Sequence, residues 1–592
     1  MMVLPMNRKD DFLIIGITGP FSSGCTTAAK LFEKKLSIVK EKYVSLKEKI
    51  DADIAEWYNN KNKHTESRKE IIKFLRRRQF IHALQNIDDV EFYYISMTDV
   101  MNNLILRKYF DSYRDKKRKI PDEFSKIVEG IEEWLSQNDE LKNSLANIFN
   151  HLDNFSFEEA ELVFNYLKVY LPKLRNIFHK KFNSDSSQLF KVMQDIGNNL
   201  RRVGDPFDSI SEFKDATFLQ ILAKEAGTIQ KYHRKYKKQK SSEDIRTYYV
   251  IECLRNPWEV LYFRKRFYEF YLFSIYADEE KRFERAKENY GFSLEEFKII
   301  DKRDQGGDFT TEQFKQNIKQ CVNLADIAIT NQDQLYHFYE KLLQYYALIK
   351  FPGCVKPTRM ERYMNLAYSM SLNSTCICRQ VGAVVIKDDQ VIGAGWNDTD
   401  PGRIGCIYRL RSDVQRTNNT SFPICSDEDY NDFKRIILNY EKLDHSFCYK
   451  DEYGKFKKEK KTDSMDPNCK EIVDKLELRS LQQCRALHAE ENAILQTSHL
   501  GGIGLNGSTI YTTTFPCELC AKKICRVGIK KIVYCEPYPK SVSMDVFLKE
   551  GISEIKMIPF EGVKSPSFFR LFKPNLDIKD LQKIELMDVN KS

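Results

Sequence analysis

The sequence predicts two α/β units in tandem, and three observations carry that prediction. An apolar run, FLIIGI from Phe12, leads into a glycine-rich turn and a helix-forming stretch; strand-like segments separated by turn signals recur after about residue 356; and residues 101–240 show helical periodicity with few glycines. At 592 residues the chain exceeds one ordinary core, so two to four units are expected. Hydrophobic residues at 42% supply enough apolar mass for those cores and exclude a disordered chain. Ninety-four basic against 85 acidic residues leave a net charge of only +9, which fits anionic small ligands or weak nucleic-acid contact without demanding either. Fifteen cysteines, an odd number without a regular framework, indicate a reducing compartment, and cytoplasmic localisation is expected. FLIIGI is too short to span a bilayer, so no membrane role is expected.

In the first unit, DFLIIGITGPFSSGCTTAAKLFEKKL reads as strand, loop, helix. The loop runs from Gly19 to Gly24 with Ser22 and Ser23 between, and continues into Cys25, Thr26 and Thr27, matching the phosphate-loop pattern except that Cys25 stands where lysine belongs. Backbone N–H groups and a helix start can still cradle phosphate, but the cation used in phosphoryl transfer is missing. Phosphate binding without transfer is therefore expected, with a simple tight turn as the alternative. TYYVIECLRNPWEV from Thr247, YLFSIYADEEKRFERA and ADIAITN from Ala325 read as further strands, the first two running on into helices. These pieces resemble the nucleoside-monophosphate-kinase and dephospho-CoA-kinase fold. The resemblance implies a P-loop kinase-like domain over residues 1–345 with a helical insertion at about 101–240. It places Glu252 near the second acidic motif and Arg282 and Arg285 in a lid-like helix. The cofactor so implied is a nucleoside triphosphate (ATP, GTP or a dNTP) with Mg²⁺. Basic runs such as RDKKRK from Arg114 and HRKYKKQK from His233 read as solvated helix faces or loops rather than nucleic-acid sites.

In the second unit, residues 346–592, RMERYMNLAYSMSL reads as an amphipathic helix and QVGAVVIKDDQVIGAGWND as a hairpin ending in a glycine-rich segment. A polar insertion at about 399–480 follows, bearing Cys406, Cys425, Cys448, Cys469 and the tract GKFKKEKK; its cysteine spacing is too irregular for a standard zinc module. STIYTTT and KIVYCEP then flank a Cys-x-x-Cys segment in β-α-β alternation. Pro516 precedes Cys517 as at a helix start, and Cys517 and Cys520 fall one turn apart on one face. With His488 they form a donor set suited to Zn²⁺, leaving one coordination position for water. Glu490, two residues beyond His488, is the expected proton shuttle. HAE followed by PCELC is the signature of zinc-dependent nucleobase deaminases. The alternative is a closed structural zinc site. Cys525 falls off the shared face of Cys517 and Cys520 on a continuing helix, whereas Cys484 stays open as a fourth ligand.

QVGAVVI, GAGWND, LHAEENAIL and TTTFPCELCAKKICRVGIKKIVYCEPY, in that order, resemble the deoxycytidylate deaminases. The resemblance implies a three-layer α/β/α cytidine-deaminase-like fold, hydrogen bonding of the sugar by Asn397, a base pocket lined by the Ala489 backbone, and Glu490 as shuttle. A kinase-like domain joined to such a unit resembles the bacterial anti-phage deoxycytidine nucleotide deaminases. That implies conversion of dCTP and dCMP to deoxyuridine nucleotides, an inhibitory small RNA as partner, and a homo-oligomer. Two rival classes remain at this stage: a polynucleotide cytidine or adenosine deaminase acting on a flipped base, and a nucleotide-sensing module with a structural zinc.

Overall fold

The computed structural model describes residues 12–59, 68–113, 119–182, 185–213, 215–240, 246–306, 312–332, 334–400, 402–416, 445–448, 451, 484, 486–499, 501–502, 504–536, 555–574, 577, 579–580 and 583. Contacts divide the chain into two compact units, one of Met1–Lys356 with Glu561–Ser592 and one of Pro357–Phe560. None of the described helices is long and apolar enough to cross a membrane.

The first unit is built on strands β1 (Phe12–Thr18), β2 (Phe92–Ser96), β3 (Thr247–Glu252), β4 (Phe270–Tyr276) and β5 (Ile327–Thr330). Their spatial order is β5-β4-β1-β3-β2. All four neighbouring pairs are parallel. Six of the seven residues of β1 are buried, as a strand covered on both faces requires. Leu13, Ile15 and Ile17 enter one core with Tyr248, Val250 and Phe273. Ile14 enters the other with Tyr249, Ile251 and Leu272, so the period-2 alternation feeds two separate layers. Helix α1 (Cys25–Lys30) follows the glycine-rich loop after β1. Between β2 and β3 the chain runs through helices that include α2 (Met97–Lys108), α3 (Leu171–Lys181), α4 (Ser186–Val203) and α5 (Ile221–Lys240), where the helical insertion was expected. They bury Trp134, Leu145, Tyr166 and Leu174. Within HRKYKKQK, at the end of α5, Lys235 and residues 237–240 are exposed, whereas His233 is buried. Helix α6 (Glu279–Tyr290) follows β4.

Two expectations about boundaries need correction. The helix Leu335–Lys350 straddles the expected break at 345 because Phe338, Leu342, Leu343 and Tyr346 sit in the first unit's core. The residues after Glu561, expected in the second unit, return to the first. There a two-residue strand, Gly562–Val563, pairs antiparallel with β5, and Leu571 and Phe572 of the helix Ser565–Phe572 join the same core. A strand that short carries no periodicity to read.

The second unit opens with helix α7 (Arg359–Ser371), closed at its start by a Thr358–Glu361 capping box. Strands β6 (Gly382–Lys387) and β7 (Gln390–Trp396) form the expected hairpin, and Asp388 and Asp389 at its turn both have positive φ. Two short strands, β8 (Asp398–Thr399) and β9 (Ala486–Leu487), pair antiparallel and bring the two ends of the polar insertion together. Helix α8 (Ala489–His499), strand β10 (Thr509–Thr514), helix α9 (Glu518–Arg526), strand β11 (Lys531–Glu536) and strand β12 (Lys556–Pro559) complete the unit. The sheet order is β12-β11-β10-β6-β7. Adjacent residues of β6 show the layering. A Cβ on Gly382 would lie 1.9 Å from the Ala367 carbonyl oxygen of α7, whereas Ala383 packs with Ala489 and Ala493 of α8 and Ile524 of α9. Among the described residues, α7 therefore lies on one face of the sheet and α8 and α9 on the other. GKFKKEKK, Cys425 and Cys469 lie outside the described residues.

Candidate active site

His488 and Cys517 each sit at the start of a helix. The His488 carbonyl accepts the Asn492 N–H at 2.9 Å, opening α8, and the Cys517 carbonyl accepts the Ala521 N–H at 2.8 Å, opening α9. Pro516 precedes the second start, and Cys520 lies in its first turn. The imidazole Nδ1 of His488 is 3.2 Å from Cys517 Sγ and 3.4 Å from Cys520 Sγ. A tetrahedral Zn²⁺ would set such N and S ligands about 3.6 Å apart, so these donors are nearly placed for one ion. Both thiols are buried. Without metal the three groups share protons. Hydrogen bonds from Cys520 and His488 hold the Cys517 thiol down at about 4, and hydrogen bonds to Cys484 and Cys517 raise His488 to about 10.

Glu490, in the first turn of α8, is 3% exposed, and burial pushes its carboxyl above the usual range. The Thr512 hydroxyl lies 3.0 Å from Glu490 Oε1 and 2.9 Å from the Thr514 carbonyl oxygen. A hydroxyl has one hydrogen, so it serves both neighbours only when Glu490 is protonated and donates to it. Thr512 was not singled out from the sequence, because a β-strand threonine carries no motif.

His488, Ala489, Glu490, Asn397 and Cys517 line one pocket of about 120 Å³, to which Thr514 and Phe515 also contribute. The Asn397 side chain donates to the Arg379 carbonyl at 2.8 Å and accepts the Val381 N–H at 2.7 Å, fixing the segment before β6 that forms a wall. Gly393 and Gly395 let β7 approach α8. A Cβ at residue 395 would fall 2.4 Å from the Ala493 nitrogen, which explains the glycine-rich end of the hairpin. Cys484 also lines the pocket, but among the described residues only His488, Cys517 and Cys520 converge as this donor group. Cys525 is exposed.

In the first unit a second cavity, about 330 Å³, lies beyond the carboxyl ends of β1, β2 and β3. Ser22 to Thr27 line it, with Glu252 and Arg175, Arg255 and Arg285. Ser22 and Gly24 adopt positive φ, and Asn331 Nδ2 bonds the Ser23 carbonyl at 2.8 Å. A Cβ on Gly19 would fall 2.5 Å from Ser23 Oγ and from the Ile275 carbonyl oxygen. The Thr26 hydroxyl and the Tyr94 hydroxyl both bond Glu252. Arg285 donates to the carbonyls of Ser23 (3.2 Å) and Asn331 (2.8 Å), and Arg282 to that of Phe21 (3.2 Å), so both arginines of α6 grip the loop. Cys25 is buried with its thiol 3.5 Å from Ser23 Oγ. Arg175, from the insertion, was not expected here; it bonds Ser96 and Asp99 at the end of β2 and lines the cavity, and nothing in a long helical segment marks such a residue.

Residues 357–536 match the family model described as the cytidine and deoxycytidylate deaminase zinc-binding region. The deoxycytidylate deaminase of Enterobacteria phage T2 is 29% identical over 197 residues, 33% of this chain and 90% of its own. That of Schizosaccharomyces pombe is 26% identical over 216 residues, 36% of this chain and 48% of its own. The C-terminal region matches the dCMP/cytidine deaminase family. A solved dCMP deaminase of the cyanophage S-TIM5 aligns over 35% of this chain and 99% of its own at 20% identity, with a TM-score of 0.19, too low to bear on the relation. The matched deaminase region holds Asn397, His488, Ala489, Glu490, Cys517 and Cys520, and lies within the second unit.

Proposed function

We propose that the second unit is a zinc-dependent hydrolytic deaminase of deoxycytidine nucleotides, dCMP, dCTP or both, giving deoxyuridine nucleotides and ammonia. The observation that carries this is the convergence of His488, Cys517 and Cys520 beside a buried Glu490 in one pocket. His488, Cys517 and Cys520 hold the metal; Zn²⁺, when bound, supplies a nucleophilic water at neutral pH by lowering its pKa toward about 7. Glu490, which no donor set places among the ligands, takes a proton from the attacking water, gives it to the ring nitrogen, and returns one to the departing amine. Thr512 holds the Glu490 carboxyl at 3.0 Å for that shuttle. The Ala489 backbone lines the base, and Asn397, with one Nδ2 hydrogen beyond its bond to Arg379, meets the sugar.

The first unit, in this reading, is a P-loop kinase-like domain that binds a nucleoside triphosphate (ATP, GTP or a dNTP) with Mg²⁺ and regulates the deaminase without transferring phosphate. The loop's glycines, the paired Thr26 and Glu252 that would hold Mg²⁺, and Arg175, Arg255 and Arg285 as the cavity's cations where the lysine is absent support this. Joined, the two units deplete dCTP as an anti-phage defence, with an inhibitory small RNA and further copies of the chain as partners. The test is zinc content together with deamination assays on dCMP, dCTP, cytidine and single-stranded DNA. Turnover of deoxycytidine nucleotides is expected; turnover of single-stranded DNA alone would place the protein among the polynucleotide deaminases. Robust ATP-dependent phosphoryl transfer to nucleoside or deoxynucleoside monophosphates would contradict the regulatory role of the first unit.

A further inference from the structure

Three buried side chains of the first unit's cavity carry polar atoms that no described residue bonds. Asn102, on α2, is 0% exposed, and neither its Nδ2 nor its Oδ1 has a hydrogen-bond partner. Gln194 and Arg201, on α4, are 6% and 3% exposed, and Gln194 Oε1 and Arg201 Nη1 are likewise unpartnered. All three residues line the cavity that also holds Ser22 to Thr27. The rest of both α4 side chains is fixed. Arg201 directs Nε and Nη2 at Glu259, each at 2.8 Å, and Glu259 in turn accepts the N–H groups of Arg255 at 3.1 Å and Asn256 at 3.2 Å. Gln194 donates from Nε2 to Asp304 at 2.9 Å. Asp304 is ion-paired with Arg255, so the amide nitrogen faces that carboxylate and the amide oxygen is the atom left over. Residues 194, 197 and 201 share one face of α4 by their spacing, and residue 197 is glycine. A Cβ there would lie 3.4 Å from both Arg201 Nη1 and Met101 Sδ, so the missing side chain opens the space beside Nη1.

We propose that Asn102, Gln194 and Arg201 form a nucleobase-recognition subsite, so that the cavity takes a nucleotide chosen by its base. The unpartnered atoms are two donors, Asn102 Nδ2 and Arg201 Nη1, and two acceptors, Asn102 Oδ1 and Gln194 Oε1. A mixed set matches the edge of a nucleobase, where ring-nitrogen or carbonyl acceptors stand beside N–H donors. It does not match phosphate, whose oxygens only accept. Met97, Met101, Phe190 and Leu222 line the same cavity and supply apolar surface for the faces of the ring. Leaving buried polar atoms unbonded costs stability, a cost that a ligand completing them offsets. A regulatory unit built this way responds to one nucleotide rather than to polyphosphate in general. The inference rests on the phosphate-loop reading of the first unit for the phosphate end alone; the base end stands on the unpartnered atoms.

The experiment is calorimetric titration of the full-length chain with Mg²⁺, in a Glu490→Gln background so that nothing is turned over. The ligands are dATP, dGTP, dCTP, dTTP, dUTP, the five deoxynucleosides and inorganic triphosphate; a signal common to parent and variants belongs to the second unit. In the parent, the best nucleotide should bind at least about tenfold tighter than the weakest and than triphosphate, since one neutral hydrogen bond is worth about that factor. Asn102→Leu removes both amide atoms at nearly constant volume. The spread among bases should shrink by about tenfold while triphosphate affinity is kept, and the Tm of the ligand-free protein should hold or rise because a buried unpartnered amide is gone. Gly197→Met, which fills the space beside Arg201 Nη1, should also lose the preference among bases and keep triphosphate affinity. Deoxynucleosides that bind with the same base preference while triphosphate fails to bind would retain the subsite and reject the phosphate loop. Triphosphate binding as tightly as every nucleotide would retain the loop and overturn the subsite. The proposal is also overturned if neither nucleotides nor deoxynucleosides bind the first unit, if the spread among bases is unchanged in both variants, or if Asn102→Leu clearly lowers the Tm, which would give the amide a structural role.

Discussion

Gly395→Ala probes the packing that places the candidate active site. The added Cβ would lie 2.4 Å from the Ala493 nitrogen, 2.5 Å from the Ala489 carbonyl oxygen and 2.9 Å from the Asn492 carbonyl carbon. Ordinary carbon contacts begin near 3.4 Å, and helix backbone atoms cannot rotate aside, so the first turns of α8 must retreat by about 1 Å or β7 must bend away. That turn carries Glu490 and follows directly on His488. Overpacking of this kind costs about 1–3 kcal/mol, and backbone neighbours put this case at the upper end. A displacement near 1 Å of a group that must meet its reactant costs about 100-fold in rate. Thermal denaturation should therefore show a clear loss of Tm, and the deamination rate on dCMP should fall by about 100-fold. Gly504→Ala is the control, since the nearest atom to its Cβ is the Lys387 amine at 4.0 Å. Wild-type Tm and rate in Gly395→Ala would refute the reasoning.

Cys517→Ala and Cys520→Ala should each abolish deamination and remove the zinc held with His488, because two thiolates anchor that ion; stoichiometric zinc there in either variant would show the ligand set to be wrong. Gly24→Ala combines a φ of 107° with a Cβ 2.2 Å from Asn331 Nδ2. Calorimetric affinity for nucleoside triphosphates should fall at least about tenfold while zinc content is kept, since the loop's N–H groups can no longer wrap phosphate; unchanged affinity would contradict the phosphate-loop role. His233 is buried against Tyr93 and 3.0 Å from the Tyr249 hydroxyl, and burial, with Lys237 and Lys168 nearby, holds it down at about 3. The unfolded chain binds a proton below pH of about 6.5 that the native state refuses, so this residue's stabilisation is complete above 6.5 and lost as pH falls toward 3. The slope is at most about 1.4 kcal/mol per pH unit, or about 2 kcal/mol by pH 5. Urea denaturation at pH 7 and pH 5 should show that loss in wild type and not in His233→Gln.

The sequence made some parts of this molecule plain and concealed others for physical reasons. β1, β3 and β4 were legible because strands buried on both faces are near-continuous apolar runs, and the tight glycine-rich turn after β1 because φ > 0 at Gly24 admits few residues. The convergence of His488, Cys517 and Cys520 beside Glu490 was legible because helix starts and i,i+3 spacing bring such side chains together locally. β2 went unread: FYYIS is five residues long, and no glycine or proline brackets it. The return of the C-terminal segment to the first sheet depends on a two-residue strand, and Arg175 comes to line the first unit's cavity only through tertiary packing of the insertion.

The most direct test of the central claim is Glu490→Gln, measured for both zinc content and deamination of dCMP and dCTP. Gln keeps the shape of the side chain and its hydrogen bond with Thr512 but cannot carry a proton. The account predicts zinc at the wild-type level with deamination lost. Near-normal turnover in the zinc-replete variant would contradict it.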